Sequence, residues 1–395
     1  MYSAALECIN TNMAPKRKSN EPTSNGKNVN SNNKKTKTES NKKKTSKIAR
    51  ILVKPKKILR VQTKTLNHSI CIPTTILNNC HNLEHITHVI YQIAKAATIF
   101  NVGEIVVLDM GDRKQKSAET DSNNEKQRLS DSMLIASLLQ FFVTPPYLVK
   151  TVFKKQYMKY FTVAEKLPRL TALPFMRHHD EDGGRYREGL AVRMTNPNDK
   201  STKEFKQTKY INVGKKELLK LKSQLVPTNV RVTVDTIENK VVSPIEAYGD
   251  FVGAQASFGY HVRVAKSFGS IFTDCAFPEG YSQCIWANSG DFFYNDQEKK
   301  YAKIETRIPR ITKIVKPDRV DDETKPQPQA NLLIVFGKWD HIKKSFELSK
   351  DQFEGCDGAN QFFDGQIEMP GASPQGNICI EDCCMITLSS LETMA

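Results

Sequence analysis

Glycine and proline residues near the C-terminus form the pattern in this chain that best indicates ligand chemistry. An apolar run, residues 332–336, ends at Gly337, and a turn-rich segment, residues 369–377, precedes a final apolar run. A buried strand that ends in glycine lets a ligand approach the backbone. A Pro/Gly loop that leads into a helix offers free amides and carbonyls, which suit a planar, adenine-like ligand. The pattern predicts a ligand cleft, although a plain strand, loop and helix of an α/β core would have a similar sequence.

Alternating strand and helix patterns predict the framework that positions this cleft. Residues 68–73 indicate a short strand, which Pro73 ends because proline cannot donate a ladder hydrogen bond. Residues 83–100 have apolar side chains at helical spacing. A second buried strand is predicted for residues 104–109 and a second amphipathic helix for residues 128–142. This order favours an α/β fold with a parallel sheet covered on both faces.

The middle of the chain changes to short β-prone runs separated by polar turns. These runs are residues 190–192, 210–213, 230–234 and 240–242. They predict a small all-β barrel. OB-like barrels bind single-stranded nucleic acid through aromatic platforms and basic grooves. Aromatic residues are few in this segment, so a role as a spacer or a dimer contact is an equal alternative.

Positive charge is concentrated at the N-terminus. Residues 1–60 contain 16 Lys and Arg against three Glu, which is +13 of the net charge of +15. With so few apolar residues the segment cannot offset its chain entropy, and we expect a disordered tail. Its basic blocks indicate nuclear import and RNA binding, with a merely solvated tail as the alternative. The candidate RNA-binding residues here and in a basic turn of the middle segment are Lys16, Arg17, Lys18, Lys42, Lys43, Lys44, Lys215 and Lys216.

Several classes of protein are not expected. No apolar run approaches the roughly 20 residues of a membrane span, and no signal peptide is recognised. Nine cysteines in 395 residues therefore predict reduced thiols, with Cys383 and Cys384 as buried side chains. We expect no metal site, since the adjacent His178, His179 and Asp180 would rarely converge on one ion. Met13 is a second candidate start of the protein.

Four motifs, in one order along the chain, point to a single family. They are Ile72-Pro73, the Glu-Ile-Val-Val strand at residues 104–107, Tyr186-Arg187-Glu188-Gly189, and Gly-Tyr-x-Val-Arg at residues 259–263. The chain resembles the SPOUT superfamily of RNA methyltransferases, in the eukaryotic and archaeal branch whose core is interrupted by an OB-like barrel. The resemblance runs from about residue 68 to residue 391.

The resemblance implies an architecture. It implies a SPOUT trefoil-knot methyltransferase domain, formed by residues 66–178 and 255–395, with the barrel inserted at residues 179–254 and the tail at residues 1–60. It also implies a homodimer, since such domains usually complete their cleft across a two-fold interface.

It also implies an activity and a cofactor. We expect S-adenosylmethionine-dependent methylation of large-subunit ribosomal RNA, on uridine, in the nucleus and nucleolus, with ribosomal RNA or the pre-ribosome as partner. The residues implied for S-adenosyl-L-methionine binding are Phe336, Gly337, Pro370, Gly371, Gln375, Gly376, Ile378, Ile386 and Leu388.

One departure from the family bears on catalysis. The family loop usually carries Gln-Gly, then two arginines, then Thr-Glu-Glu, whereas Gln375-Gly376 is followed here by residues 377–382 without arginine. Arg185 and Arg187 are the remaining candidate catalytic residues, and a structural salt bridge with Asp180, Glu181 or Glu188 is their alternative role. The alternative function is a non-catalytic assembly factor that binds RNA, a ribosomal protein or an assembly chaperone.

Overall fold

The computed structural model describes residues 56–60, 65–111, 129–177, 184–193, 206–248, 259–315, 329–353, 355–373 and 378–394. Within these ranges the strands, in chain order, are β1 Lys56–Arg60, β2 Thr65–Pro73, β3 Glu104–Leu108, β4 Tyr186–Ala191, β5 Gln207–Thr208, β6 Tyr210–Asn212, β7 Leu219–Lys220, β8 Val226–Pro227, β9 Arg231–Asp235, β10 Lys240–Val242, β11 His261–Ala265, β12 Gln283–Asn288, β13 Phe292–Asn295, β14 Lys300–Lys303, β15 Arg310–Val315, β16 Gln329–Val335 and β17 Gly365–Glu368. The α-helices are α1 Leu83–Ile99, α2 Asp131–Phe142, α3 Val149–Val152, α4 Pro174–Arg177, α5 Pro244–Tyr248, α6 Phe268–Thr273, α7 Trp339–Leu348 and α8 Ile380–Met394.

The largest sheet has the strand order β1-β15-β17-β12-β16-β2-β3-β11. From β17 to β11 every neighbouring pair is parallel. At the centre, Val335 of β16 pairs with Cys71 of β2, which pairs with Val106 of β3. The predicted parallel sheet is therefore confirmed, and its carboxyl edge gathers the ends of β2, β3, β12, β16 and β17.

Side chains alternate between two apolar layers on the faces of this sheet, as the two-residue period of a strand requires. Ile70 and Ile72 of β2 pack in the layer that contains α1, α2 and α8. Cys71, between them, packs in the opposite layer with Phe268 of α6 and Phe346 of α7. The prediction that helices cover both faces is thus confirmed.

The two predicted helices begin at polar caps. The Asn82 side chain accepts a hydrogen bond from the His85 amide at 2.7 Å at the start of α1. The Ser130 hydroxyl accepts one from the Met133 amide at 3.3 Å, which makes Asp131 the first residue of α2. Such caps satisfy amides that have no partner within the helix.

The predicted β-rich segment forms its own antiparallel sheet, in the order β10-β9-β4-β6-β7. It has a separate apolar core that includes Ala191, Ile211 and Val234. The four predicted runs correspond to β4, β6, β9 and β10, whereas closure of the sheet into a barrel stays a prediction. One end of α2 holds this inserted sheet, because Arg231 Nη1 donates to the Val143 carbonyl at 2.7 Å.

The predicted boundary of the tail is wrong at its last five residues. Lys56–Arg60 forms β1, which pairs with β15, and Lys57 Nζ donates to the Asp364 carbonyl at 2.8 Å. Three basic residues in these five had the composition of the tail, but Leu59 is buried in the core and the backbone has a strand partner. Residues 1–55, with the other predicted features of the tail, lie outside the described residues.

The structure places the cysteines as the sequence predicted. Cys383 and Cys384 are both buried, and the cysteines of the described residues are free thiols. Burial raises the pKa of the Cys383 thiol to about 12, so it is a packed, protonated side chain. None of the described helices combines the length and the apolar character that a membrane crossing needs.

Candidate active site

The candidate site lies at the carboxyl edge of the parallel sheet, where open α/β sheets usually bind ligands. Neighbouring strands β12, β16 and β2 end there at Asn288, Val335 and Pro73. β17, on the other side of β12, ends at Glu368 and leads into the Pro/Gly loop. The sheet order therefore brings segments that are far apart in sequence to one edge.

Gly337 follows β16 in a conformation that favours glycine. Its φ is +122°, and a Cβ at this position would lie 2.9 Å from Pro73 Cγ. The Gly337 carbonyl accepts a hydrogen bond from Trp286 Nε1 at 3.0 Å, and the Phe336 amide donates to the Cys71 carbonyl at 2.9 Å. These contacts fix the backbone of a buried residue, and Pro73 packs where a side chain would begin, so the turn requires glycine.

A loop after β12 completes this edge, and the sequence analysis missed it. Asn288 Oδ1 accepts a hydrogen bond from the Gly290 amide at 2.9 Å, and a Cβ at Gly290 would meet Ala372. The Ile378 amide donates to the Ser289 carbonyl at 3.4 Å. The signal was present, since Asn-Ser-Gly-Asp follows an apolar run just as Gly337 does.

Asp291 joins this loop to α7. One carboxylate oxygen, Oδ2, accepts a hydrogen bond from the Trp339 amide at the start of α7, two residues after Gly337. The other oxygen, Oδ1, is buried and accepts no hydrogen bond among the described residues. The side chain is buried, with Asp291 4% exposed, and this burial raises the pKa of the carboxyl group. Asp291 is therefore a titratable group held beside the glycine turn.

The structure brings together part of the predicted cofactor set. Pro370 and Gly371 lie in the turn that leads to Ala372, beside Gly290, and Ile378 contacts the same loop. Ile386 and Leu388 lie on α8, where Leu388 is fully buried in the helical layer and Ile386 is half-buried. Gln375 and Gly376 lie outside the described residues.

Arg185 and Arg187 lie at the opposite end of the fold. The first turn of α2 is at the carboxyl edge, because Ser132 Oγ donates to Asp109 Oδ2 at 3.0 Å, just after β3. The last turn is at the amino edge, where Tyr260, which precedes β11, donates to the Leu139 carbonyl at 2.8 Å. The 12 residues of α2 span about 18 Å. The inserted sheet is attached to this far end. Within one chain, therefore, Arg185 and Arg187 lie far from Gly337.

Arg185 has protein partners on the inserted sheet, and Arg187 has one between α2 and α3. Arg185 forms ion pairs with Asp235 at 2.8 Å and with Glu238 at 3.4 Å. The Arg187 guanidinium stacks over the Tyr147 ring, with Cζ 4.8 Å from the ring centroid. A salt bridge was the predicted alternative for both arginines; Arg185 forms it with Asp235 and Glu238, while the suggested partners Asp180 and Glu181 lie outside the described residues.

Glu188, one of those suggested partners, has a different role. It is fully buried and accepts hydrogen bonds from Arg231 Nε at 3.1 Å, Thr233 Oγ1 at 2.7 Å and the Tyr248 hydroxyl at 3.1 Å. Burial and the Glu188 carboxylate raise the pKa of Tyr248, which keeps its hydroxyl protonated as a donor. The motif at residues 186–189 therefore contributes a structural carboxylate that secures the inserted sheet.

The predicted RNA-binding lysines are only partly described. Lys215 and Lys216 are exposed in a turn between β6 and β7, next to Gly214, which packs on Tyr147. The tail lysines and arginine lie outside the described residues. So do residues 178–180, the His-His-Asp segment, and the described part of the chain has no cluster of His, Cys, Asp or Glu that would hold a metal ion.

Two cavities are lined by residues other than Gly337. One of about 300 Å³ is mostly apolar and lies beside the last turn of α2, lined by residues that include Phe141 and Phe175. The other, of about 330 Å³, lies along α7 and is lined by residues that include Arg307 and Lys343. Gly337 and residues 288–291 are themselves buried in the single chain.

Comparison with known proteins identifies the family. A family model described as "Putative RNA methyltransferase" matches residues 67–391. Two proteins of Saccharomyces cerevisiae, named "Putative methyltransferase YMR310C" and "Putative methyltransferase YGR283C", are 42% and 40% identical over 86% and 87% of this chain and 98% and 93% of their own lengths. The Homo sapiens protein named "28S rRNA (uridine-N(3))-methyltransferase" is 30% identical over 55% of this chain and 56% of its own length. The resemblance to SPOUT RNA methyltransferases is confirmed, and the chain belongs to this family of RNA methyltransferases.

Proposed function

We propose that this protein transfers a methyl group from S-adenosylmethionine to a uridine base of large-subunit ribosomal RNA during ribosome biogenesis. The observation that carries the proposal is the Gly337 turn at the carboxyl edge of the sheet, within a chain of this family. The substrate comes from the human relative, which is named for uridine N3 of 28S ribosomal RNA. We include the nucleus and nucleolus in the proposal as the site of action.

The residues at this edge fit the cofactor. Gly337 turns the chain at this edge with Pro73 packed against it, and the exposed turn at Gly371 has no atom within 4 Å of a Cβ position. A buried carboxylate oxygen of Asp291 is left without a hydrogen bond beside them. The backbones of Gly337, Gly371 and Ser289, with the apolar Ile378, would hold S-adenosylmethionine.

Bound S-adenosylmethionine supplies a methyl group on a positively charged sulfur. The protein has to align the uridine nitrogen with that group and exclude water, which are effects of proximity and orientation. It must also accept the proton that uridine N3 loses. Oδ1 of Asp291 is the proton acceptor that we propose at this edge, and burial holds the pKa of this carboxyl above its usual range.

A homodimer belongs to the proposal. Arg185 and Arg187 lie on the inserted sheet, which is attached at the far end of α2, about 18 Å along the helix from the cofactor edge of their own chain. They reach a cleft only if it belongs to a second copy, as a closed two-fold dimer allows. The trefoil knot and the OB-like barrel of residues 179–254 are parts of the same proposal.

The test of cofactor binding is calorimetry of the full chain with S-adenosylmethionine. Gly337→Ala forces a side chain against Pro73, so we expect it to abolish the binding heat. Gly355→Ala is the matched control, since Gly355 has a similar left-handed backbone with φ +78° and no atom within 4 Å of its Cβ position. We expect the control to bind normally.

Two results would contradict the proposal. If the wild-type protein gives neither binding heat nor a thermal shift with S-adenosylmethionine or its demethylated product, the enzyme assignment fails. If Gly337→Ala binds as well as Gly355→Ala, the cofactor site lies elsewhere. Methylation of ribosomal RNA from a strain lacking the protein, read out as N3-methyluridine, tests the substrate.

The second candidate function is a non-catalytic assembly factor that binds RNA, a ribosomal protein or an assembly chaperone. The observation that favours it is the absence of arginine before α8, where Ile378 and the exposed Cys379 stand instead. This factor would keep its RNA affinity and lack methylation activity, so the same methylation assay separates the two functions.

A further inference from the structure

The β13–β14 hairpin carries an unusual surface. Among the described residues, every aromatic side chain that is strongly exposed lies on it: Phe293 is 48% exposed, Tyr294 50% and Tyr301 55%. Exposed aromatic rings gathered in one place mark a binding surface, because a bound partner removes their apolar surface from water. The rings of Tyr294 and Tyr301 meet edge to face, with centroids 5.3 Å apart.

The pairing of β13 with β14 shows which of these side chains share a face of the hairpin. Tyr294 pairs with Tyr301 and Phe292 pairs with Lys303. Residues two apart on a strand share a face, so these four side chains form one strip, with its two rungs about 7 Å apart. The Lys303 ammonium lies 6.0 Å from the centroid of the Phe292 ring, on the same strip.

The strip begins at the candidate active site. Phe292 follows Asp291 directly, and a Cβ at Gly290 would meet both Ala372 and the Phe292 ring. Lys303 Nζ forms an ion pair with Glu368, the last residue of β17, at 3.1 Å. The base of the hairpin is therefore anchored to the loops around Gly337, and its aromatic end projects away from them.

The charge around the hairpin indicates what covers it. Residues 296–313 contain six Lys and Arg and three acidic residues, Asp296, Glu298 and Glu305. Lys299, Lys300 and Arg307 in this segment are exposed. Exposed aromatic rings beside exposed cations are the arrangement that binds single-stranded nucleic acid, because the rings stack on bases while the cations neutralise phosphates.

We propose that the β13–β14 hairpin is the platform on which single-stranded RNA next to the target base stacks, delivering that base to the Gly337 edge. The proposal rests on the proposed function and adds the surface that holds the substrate. It moves the main base-stacking contacts away from the inserted sheet, where the sequence had suggested RNA binding but few aromatic residues.

The experiment measures binding of a fluorescent single-stranded oligouridine to the full chain at several salt concentrations. We expect Tyr301→Ala to weaken binding on the order of 10-fold, because a base loses its stacking partner, and the double variant Tyr294→Ala/Tyr301→Ala to weaken it further. Salt does not screen a stacking contact, so the slope of log affinity against log salt should stay that of the wild type. Tyr301→Phe keeps the ring and should bind like the wild type.

Lysine variants should behave in the opposite manner. Lys299→Gln and Lys300→Gln each remove one phosphate contact, so the salt slope should fall by about 0.7 per contact on a single strand. Ile237→Ala is the matched control, since Ile237 is an exposed apolar residue of the inserted sheet, and it should change neither quantity.

Each contrary result has a distinct meaning. Equal oligouridine affinity of wild type and the double tyrosine variant overturns the proposal. If that variant instead changes from dimer to monomer in sedimentation while RNA affinity stays constant, a second copy of the chain covers the hairpin and the proposal is wrong. Calorimetry with S-adenosylmethionine is run on the same variants: if the cofactor fails to bind even the wild type, the proposed enzyme fails, whereas the RNA result stands independently.

Discussion

Arg263 Nε donates to Glu104 Oε1 at 2.9 Å, and both side chains are almost completely buried. The guanidinium also donates to the carbonyls of Ser270 and Ile271, and the Tyr281 hydroxyl contacts the same carboxylate. The two charges belong to two sequence motifs that are 159 residues apart. Their pairing joins β3 and β11 and ties both strands to α6.

The first prediction concerns this pair. Glu104→Gln leaves the Arg263 charge buried without its counter-ion, so we expect the free energy of unfolding to fall by about 3–5 kcal/mol. Glu238→Gln, which breaks exposed ion pairs with Arg185 and Lys240, should lower the free energy of unfolding far less, because solvent screens these pairs. Chemical denaturation of both variants measures the difference. Equal stability of the two variants would contradict a stabilising role of the buried pair.

The second prediction concerns pH. Burial raises the pKa of Asp291, so the folded protein binds this proton more tightly than the unfolded chain does. The stability linked to Asp291 is fully present below the unfolded pKa of about 3.9 and is lost as the pH rises through the folded value. Asp291→Asn keeps an acceptor for the Trp339 amide and carries no charge, so its stability relative to the wild type should increase from acidic to neutral pH.

A second aspartate provides a control of opposite sign for this pH measurement. Burial alone would raise the pKa of Asp235, but hydrogen bonds from Arg185 and from the amides of Glu238 and Ile237 lower it. The stability linked to Asp235 is present above the unfolded pKa and is lost as the pH falls through the folded value. The stability of Asp235→Asn relative to the wild type should therefore decrease from acidic to neutral pH. Parallel pH profiles for the two variants would refute this assignment of the charges.

The third prediction concerns the missing arginines. If a cation before α8 is needed for chemistry, Cys379→Arg should raise the rate of RNA methylation, whereas Cys379→Gln at the same exposed position should not. If Arg187 supplies this charge across a dimer, the wild type is already active and Arg187→Ala should lower the rate on the order of 10²-fold. Full activity of both Arg187→Ala and Arg185→Ala, with no gain from Cys379→Arg, would exclude both explanations.

The fourth prediction concerns the N-terminal segment. Deleting residues 1–55 removes 13 of the 58 Lys and Arg but keeps β1 and its contact with Asp364. RNA affinity should fall across all sequences and the salt slope should flatten, because fewer counterions are released. The shortened protein should unfold with the same free energy as the full chain. An unchanged salt slope would assign RNA binding to the folded part and leave import as the role of the segment.

The sequence predicted those elements that depend only on the spacing of neighbouring residues. Helical spacing located α1 to within a residue, and the apolar run before Gly337 located both β16 and the glycine turn. The loop at residues 288–291 was missed because its role depends on β12 lying beside β16, a pairing that periodicity does not reveal. Arg187 was proposed for catalysis because of its residue type, but only the orientation of α2 shows that it lies at the other edge.

The boundary of the N-terminal tail was also predicted wrongly because a strand partner far along the chain is not visible in local composition. Lys56, Lys57 and Arg60 look like the basic residues before them, yet Leu59 is buried and β15 is a backbone partner for the whole strand. Long-range pairing overrode local composition there, as tertiary context does for β propensity in general.

The central pairing of β2 with β16 has a consequence for synthesis of the protein. Asn67 and Asn331, whose side chains bond at 3.1 Å across these strands, are 264 residues apart. The ribosome must therefore translate most of the chain before the middle of the large sheet can close, whereas the inserted sheet pairs residues within one short stretch. We expect the inserted sheet to fold first on the nascent chain, and the exposed strands around β2 to need protection from aggregation until translation ends.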